Sequence, residues 1–345
     1  MNSQFDEAVF YSRQTILPEI GQSGQAKLRN SKVAVVGLGG LGSVSALYLA
    51  LGGVGYLRLI DQDTVEVNNL HRQALYSLSD IRHAKVEVAA KRLAELNPTV
   101  TLESIADNVN DENIESVLTD SDCVVDGLDN MYTRYLLNRY CVQHQIPYVF
   151  GGAIGLEGNV ALFKTPETPC LECVLPGLDD STLPTCDTRG VLGATTGIVG
   201  AIQAIEAIKF LAEVNQKIEA KLMIFDFAQA EFRTIDLNIR KDCPVCQMKE
   251  SASSLKKGIA WLCGSNTANV NPQQPVQLDL HNVNEILKRK FPVLLVTPMV
   301  LVFDYHGHEI SLFQRGRMLI KNVSAESEAL RLYREIQTLL WTGTQ

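Results

Sequence analysis

The residues of this 345-residue chain that could do chemistry fall into two sets: a glycine run with a polar segment downstream, and paired cysteines. Gly37, Gly39, Gly40 and Gly42 follow the apolar run Lys32 to Val36 and lead into a helical pattern at Ser43. Glycines at a strand–turn–helix junction let the backbone come close to a phosphate, and the free amides of the helix start can bind its oxygens. Asp61, at the end of the next apolar run, is placed to accept hydrogen bonds from ribose hydroxyls. A dinucleotide and ATP fit that pattern equally well. The residues that follow separate them: Asp63, Asn69, Arg72 and Gln73 lie in a dense polar segment just past the strand end, and Lys85 adds a second cation. A triphosphate that loses pyrophosphate needs positive charge of this kind around its oxygens. A further strand ends in Asp126-Gly127-Leu128-Asp129-Asn130. Asp129 is the candidate magnesium ligand there. Asn130 reads both as a nucleotide contact and as a helix N-cap before Met131.

The second set is Cys170-Leu171-Glu172-Cys173 with Cys243-Pro244-Val245-Cys246. Two CxxC pairs about 70 residues apart can converge on one tetrahedral all-thiolate site, which suits zinc and leaves no open position. Such a zinc would be structural, pinning two distant segments together. Neither pair opens a helix after a strand, as redox CxxC motifs do. Cys186 stands apart from both pairs, beside Arg189 and just before a long helical pattern, where a thiol pKa should be lowered. Adenylylation itself requires no thiol. Cys123 and Cys141 fall in strand and helix patterns and read as core, and Cys263 carries no signal.

At these motifs the sequence resembles the ThiF/MoeB/HesA family of adenylyltransferases, bacterial relatives of the ubiquitin-activating enzymes, over roughly residues 5 to 248. The resemblance rests on Tyr11-Ser12-Arg13-Gln14, Gly37 to Gly42, Asp61 to Gln73, Lys85, Asp129-Asn130, both CxxC pairs and Cys186 to Gly193. It implies ATP-dependent activation of the C-terminal carboxylate of a ubiquitin-like sulfur carrier protein ending in Gly-Gly. It also implies that Asn69, Arg72 and Lys85 contact the phosphates, Asp61 the ribose and Asp129 the magnesium. The resemblance further gives Arg13 a role in the neighbouring subunit's site, hence a homodimer, and allows Cys186 a covalent link to the carrier. By itself Arg13 reads as a solvated surface charge. Some relatives carry a sulfur-donating rhodanese domain; the segment after residue 258 is too short for one, so either any transferred sulfur comes from an external donor or the reaction ends at the adenylate. Two other readings stay open: a nicotinamide-dependent oxidoreductase, and a related enzyme that activates a tRNA-linked or peptide carboxylate.

The elements that must position these residues follow from the alternation of short apolar runs with helical patterns. Lys32 to Val36, Tyr56 to Ile60, Cys123 to Val125 and Tyr148 to Phe150 read as strands buried on both faces. Helical patterns lie between them, notably at Ala84 to Leu96 and Met131 to Gln145. The expected fold is α/β: a Rossmann-like doubly wound sheet continued by antiparallel strands at Lys221 to Phe227 and Glu231 to Leu237, after a change of pattern at Gly158 to Phe163. The expected organisation is an ATP-binding domain with its zinc site over residues 1–250, a linker over 251–258 and a small α+β module over 259–345. The module should contain a helix at Val283 to Lys290, short strands between Pro292 and Val323, and a helix at Ala325 to Trp341. It is expected to help dock the protein substrate. Its Asp304-Tyr305-His306-Gly307-His308 segment reads as a hairpin turn rather than a metal site.

The bulk numbers agree. An apolar content of 46% supports a sizeable core. A formal net charge of −8 offers no broad basic surface for nucleic acid. The N-terminus lacks a cationic start followed by an apolar run, so a cytoplasmic location is expected. The longest apolar stretch, Gly193 to Val214, carries Gln203, Glu206 and Lys209 at helical spacing, and reads as a half-buried helix rather than a membrane span.

Overall fold

The structure is a computed structural model that describes residues 5–214, 217–247, 260–261, 266–272, 274 and 276–341. The expected linker and Cys263 lie outside these residues. Eight strands form the main sheet: β1 (Lys32–Val36), β2 (Tyr56–Ile60), β3 (Thr101–Ile105), β4 (Cys123–Asp126), β5 (Tyr148–Ile154), β6 (Glu157–Phe163), β7 (Lys221–Asp226) and β8 (Glu231–Asp236). Their order is β3-β2-β1-β4-β5-β6-β7-β8. The first five are parallel, and β6 to β8 continue the sheet antiparallel.

The alternation in β1 explains how both faces are covered. Val33 and Val35 point into an apolar cluster with Leu49, Ala89 and Ala204, while Ala34 and Val36 point into another with Leu118, Leu137 and Tyr140. Helices Gly42–Leu51, Lys85–Leu96 and Gly193–Leu211 supply the first cluster, and Ile114–Leu118 and Met131–His144 the second. Chain order reverses between β1 and β4, with β2 on one side and β4 on the other. The ends of β1, β2 and β4 therefore open one crevice at the switch point, where ligands bind in sheets of this type.

The remaining strands are β9 (Ala260–Trp261), β10 (Thr267–Val270), β11 (Val293–Val296), β12 (Val300–Tyr305), β13 (His308–Phe313) and β14 (Met318–Lys321). They form an antiparallel sheet in the order β11-β12-β13-β14-β10-β9. One face, with Leu301, Phe303, Ile310 and Ile320, packs on helices Leu280–Leu287 and Glu326–Trp341. Residues of the other face, Val300, Val302, Phe313 and Leu319, belong to the same apolar cluster as the core of the main sheet. The central strands of the second sheet, β10 and β12 to β14, are thus buried on both faces, and the sheet shares a core with the first.

Several details differ from the sequence reading. Strand β3 and the helices before β1, including Gly21–Asn30, were not expected. The helix expected from Val283 starts at Leu280, capped by Asp279, whose carboxylate accepts from the amides of His281 and Asn282. Helix Gly193–Leu211 packs on β5 and β6 with Val199, Ala204 and Ala207 fully buried, as a core helix does. Gln203 is not on a solvent face with Glu206 and Lys209: it is fully buried, donating from Nε2 to the Asp126 carbonyl at 2.6 Å and to that of Val149 at 3.2 Å. The segment at 304–308 is a hairpin between β12 and β13, with His306 (φ 54°) and Gly307 (φ 87°) both left-handed.

Candidate nucleotide site and cysteine cluster

The turn after β1 is shaped by backbone packed on backbone. Gly37 has φ 86°, and a Cβ there would come within 2.7 Å of the Gly127 carbonyl oxygen. Side chains at Gly42 or Gly127 would run into the Gly37 carbonyl. Gly127, at the end of β4, is therefore as necessary to the turn as the glycines of the run. It went unnoticed because its role depends on contact across the switch point. Tyr76, also unnoticed, donates from its hydroxyl to the Leu38 carbonyl at 2.9 Å and supports the turn from inside.

Asp61 sits at the tip of β2, buried, with both oxygens engaged: Oδ2 accepts from the Leu38 amide at 2.6 Å and Oδ1 from the Asp63 amide at 2.7 Å. The Lys85 side chain is only 5% exposed, and its Nζ lies 3.0 Å from Asp63 Oδ2. Burial alone would depress the Lys85 ammonium, but Asp61 and Asp63 outweigh it and hold its pKa above the ordinary lysine value. Burial pushes the Asp61 carboxyl up against the opposing pull of Lys85. Asn69 is buried in a short turn of 3-10 helix, Val67–Asn69, its Nδ2 donating to Asn68 Oδ1 at 3.0 Å. Half-buried Arg72 donates to the Asn68 carbonyl at 2.6 Å. Ser43 Oγ, Asp63 Oδ1 and Gln73 Oε1 are buried without a hydrogen-bond partner, and Gln73 Nε2 faces Gly39. Ser43 Oγ and Gln73 Nε2 can donate to phosphate oxygens beside the glycine turn and the two cations, whereas Asp63 Oδ1 and Gln73 Oε1 are acceptors that suit a ligand's donors.

Asp129 is exposed beyond β4, and it interacts electrostatically with both Lys85 and Arg134. Asn130 is the N-cap of helix Met131–His144, its side chain accepting from the Thr133 amide at 2.9 Å. Of its two expected roles, the cap is the one this structure displays. Arg134, which sequence reasoning missed, fixes the loop: Nε donates to Asp126 Oδ2 at 3.1 Å, and Nη2 to the carbonyls of Leu128 and Gly151, each at 2.7 Å. Tyr148 donates to the same Asp126 oxygen at 2.6 Å. A buried aspartate shared by an arginine and a tyrosine makes a rigid platform under Asp129.

Two expected residues stand apart from this group. Arg13 is exposed on the short helix Ser12–Thr15. Its neighbour Gln14 donates to the Gly52 carbonyl at 2.8 Å, at the opposite end of helix Gly42–Leu51 from the glycine turn. That helix spans roughly 15 Å. Cys186 opens the short helix Cys186–Arg189, and its side chain lies outside the described residues. Arg189, expected to favour its thiolate, is paired at 2.5 Å with Glu157.

The two CxxC pairs converge. The four sulfurs of Cys170, Cys173, Cys243 and Cys246 lie within 4.8 Å of one another. Cys170 and Cys243 are separated by 3.7 Å, and Cys173 and Cys246 by 3.4 Å. Tetrahedral zinc with sulfur at 2.3 Å requires sulfurs roughly 3.8 Å apart, so this donor set is compatible with zinc. The segment is held by Asn138, which accepts from the Leu171 amide at 2.9 Å, and by Arg139, whose Nε donates to Glu172 at 3.0 Å.

Residues 11–245 match the model of the ThiF family. The chain belongs to the ThiF family. It is 42% identical over 237 residues to the SAMP-activating enzyme E1 of Haloferax volcanii, covering 68% of this chain and 87% of that protein. Against the sulfur carrier protein adenylyltransferase of Thermus thermophilus the identity is 39% over 242 residues, covering 68% and 89%. It is 41% identical over 252 residues to the adenylyltransferase and sulfurtransferase MOCS3 of Culex quinquefasciatus, covering 72% of this chain but spanning only 58% of that protein. Among solved structures, E. coli MccB with MccA-N7isoASN aligns at a TM-score of 0.62 and 26% identity, covering 69% of this chain and 74% of MccB. E. coli MccB with ATP aligns at 0.58 and 26%, covering 65% and 69%. This ThiF-family chain therefore has relatives named as adenylyltransferases, and one structural neighbour was crystallised with ATP.

Proposed function

We propose that this chain adenylylates the C-terminal carboxylate of a ubiquitin-like sulfur carrier protein ending in Gly-Gly. The observation that carries the reading is the buried Lys85, kept cationic beside Asp61 and Asp63, in a crevice with Asn69, Arg72 and the glycine turn. An ionised carboxylate oxygen attacks the α-phosphorus of ATP, the bond to the bridging oxygen breaks, and pyrophosphate leaves with that electron pair. No proton moves, so the protein contributes position and charge. The glycine-turn amides, Asn69, Arg72 and Lys85 meet the phosphates, and Asp61 the ribose. Asp129 would hold magnesium, which when bound neutralises the phosphate oxygens. The four cysteines would hold a structural zinc tying the segment after β6 to the one after β8.

Arg13 cannot serve its own crevice from the far end of helix Gly42–Leu51, and this supports a homodimer in which it completes the partner's site. Exposed Ile16 and Leu17 next to it, and exposed Tyr48, Ile198 and Ile205 on neighbouring helices, are apolar surface that a second copy would cover. Transfer of the acyl group from the adenylate to the Cys186 thiolate, forming a thioester and releasing AMP, is a separable later step. No observation here favours a nicotinamide. ATP:pyrophosphate exchange in the presence of a Gly-Gly carrier tests the reading. Lys85→Ala and Asp129→Ala should each lower exchange by at least about 100-fold with the fold retained; full exchange in either variant contradicts the assignment.

A further inference from the structure

The second sheet reaches toward the nucleotide crevice most deeply through Arg317. Arg317, immediately before β14, is 1% exposed, and its guanidinium stacks 3.7 Å from the centre of the Phe313 ring. Nη2 donates to the Gln62 carbonyl at 2.7 Å and to the Ala106 carbonyl at 3.1 Å. Nη1 donates to Asn269 Oδ1 at 3.2 Å, and the Asn269 amide donates in turn to Gln62 Oε1 at 3.1 Å. Nε lies 3.6 Å from Asp107. Gln62 stands between Asp61, which holds the glycine turn, and Asp63, which holds Lys85. Farther along the same loop, Lys321 pairs with Glu66 at 2.7 Å and with Glu309 at 2.8 Å, and Glu309 pairs with Arg82 at 2.9 Å.

We infer that Arg317 is a positioning residue for the nucleotide: through Gln62 and Asn269 it fixes the Asp61–Asp63 segment, and so makes the second sheet a working part of the ATP crevice. A backbone carbonyl at a loop tip can be held from outside only by a donor that reaches it without water, and a buried, ring-stacked guanidinium does so with a fork of fixed geometry. Burial lowers the Arg317 pKa to about 10 against the opposing field of Asp107, Asp63 and Asp61, so it remains charged at neutral pH. This role toward ATP is distinct from the expected role of the region in docking the protein substrate. The inference rests on the nucleotide reading above, and its test separates the two.

Full-length Arg317→Met, with Arg317→Lys as the charge-preserving variant, is compared with wild type by amide hydrogen exchange without nucleotide and by titration with ATP and magnesium. In the Met variant the amides of residues 61–66 should exchange on the order of tenfold faster, and ATP should bind on the order of tenfold more weakly. Arg317→Lys should fall between, and KM for the carrier should not change. Unchanged exchange at 61–66, or a loosened loop that binds ATP as wild type does, overturns the inference. Should Arg317→Met not fold, the Lys variant decides by the same two measurements. Because the exchange readout needs no nucleotide, a failure of the ATP reading appears in the wild-type titration while the amides still judge the brace.

Discussion

Lys85 and Gly127 carry the most specific expectations at the scale of single residues. Lys85 has a folded pKa raised above its ordinary value, so its charge is complete below that value and is lost only as pH rises through it. A pH profile of pyrophosphate exchange should therefore have no falling limb from Lys85 up to about pH 10. A Lys85-dependent fall near neutral pH, absent when the lysine is replaced by arginine, would contradict the local electrostatics. Gly127 has no room for a Cβ because the Gly37 carbonyl and the Gly42 backbone occupy the space. Gly127→Ala should force the glycine turn apart, destabilising the protein by about 1–3 kcal/mol in chemical denaturation and weakening ATP binding more than an equally destabilising change at the second sheet's outer face.

Among the elements, the parallel strands and their crossover helices were legible because KVAVV and YLRLI end at glycine or aspartate just where a sheet of this kind puts its ligand. Strand β3 was not legible: TLESI lies at the sheet edge, half-buried, and its polar residues hide the apolar alternation. The glycine run and Asp61 could be placed at strand ends from local spacing, whereas Lys85 was legible only as a further cation whose phosphate contact came from the family resemblance, and it is the fold that sets Lys85 beside Asp63. Arg134, Gln203 and Arg317 could not, since a buried arginine or glutamine looks like a surface one until its carbonyl partners are known. The cysteine pairs lie between these cases: CxxC spacing suggested a metal, but only the fold brings segments about 70 residues apart to within 4.8 Å. If the four thiols hold zinc, elemental analysis should find about one zinc per chain. Cys243→Ser should lose it and unfold at least several degrees lower in calorimetry; unchanged metal content and unchanged Tm would remove the structural zinc from the account.

The whole molecule is two sheets with one shared core, and the crevice lies where the loops of the first meet side chains of the second. Separation of Arg13 from that crevice along helix Gly42–Leu51 makes a demand on assembly. Arg13→Ala and Lys85→Ala should each be inactive alone, yet mixed and re-equilibrated dimers should regain activity, because a hybrid dimer contains one site with both residues intact. Recovery of about a quarter of wild-type exchange is expected when the two variants are equal in amount. No recovery in mixtures that exchange subunits would return Arg13 to an ordinary surface charge.

The central claim is a bond between a carrier's terminal carboxylate and the α-phosphorus of ATP. Intact-mass measurement of a Gly-Gly sulfur carrier incubated with the purified protein, ATP and magnesium tests it most directly. The expected product is a carrier heavier by one AMP moiety with an equal amount of pyrophosphate released, and no adduct forms when the terminal glycine is deleted. ATP converted to ADP with the carrier's mass unchanged, or NAD bound in preference to ATP, would contradict it.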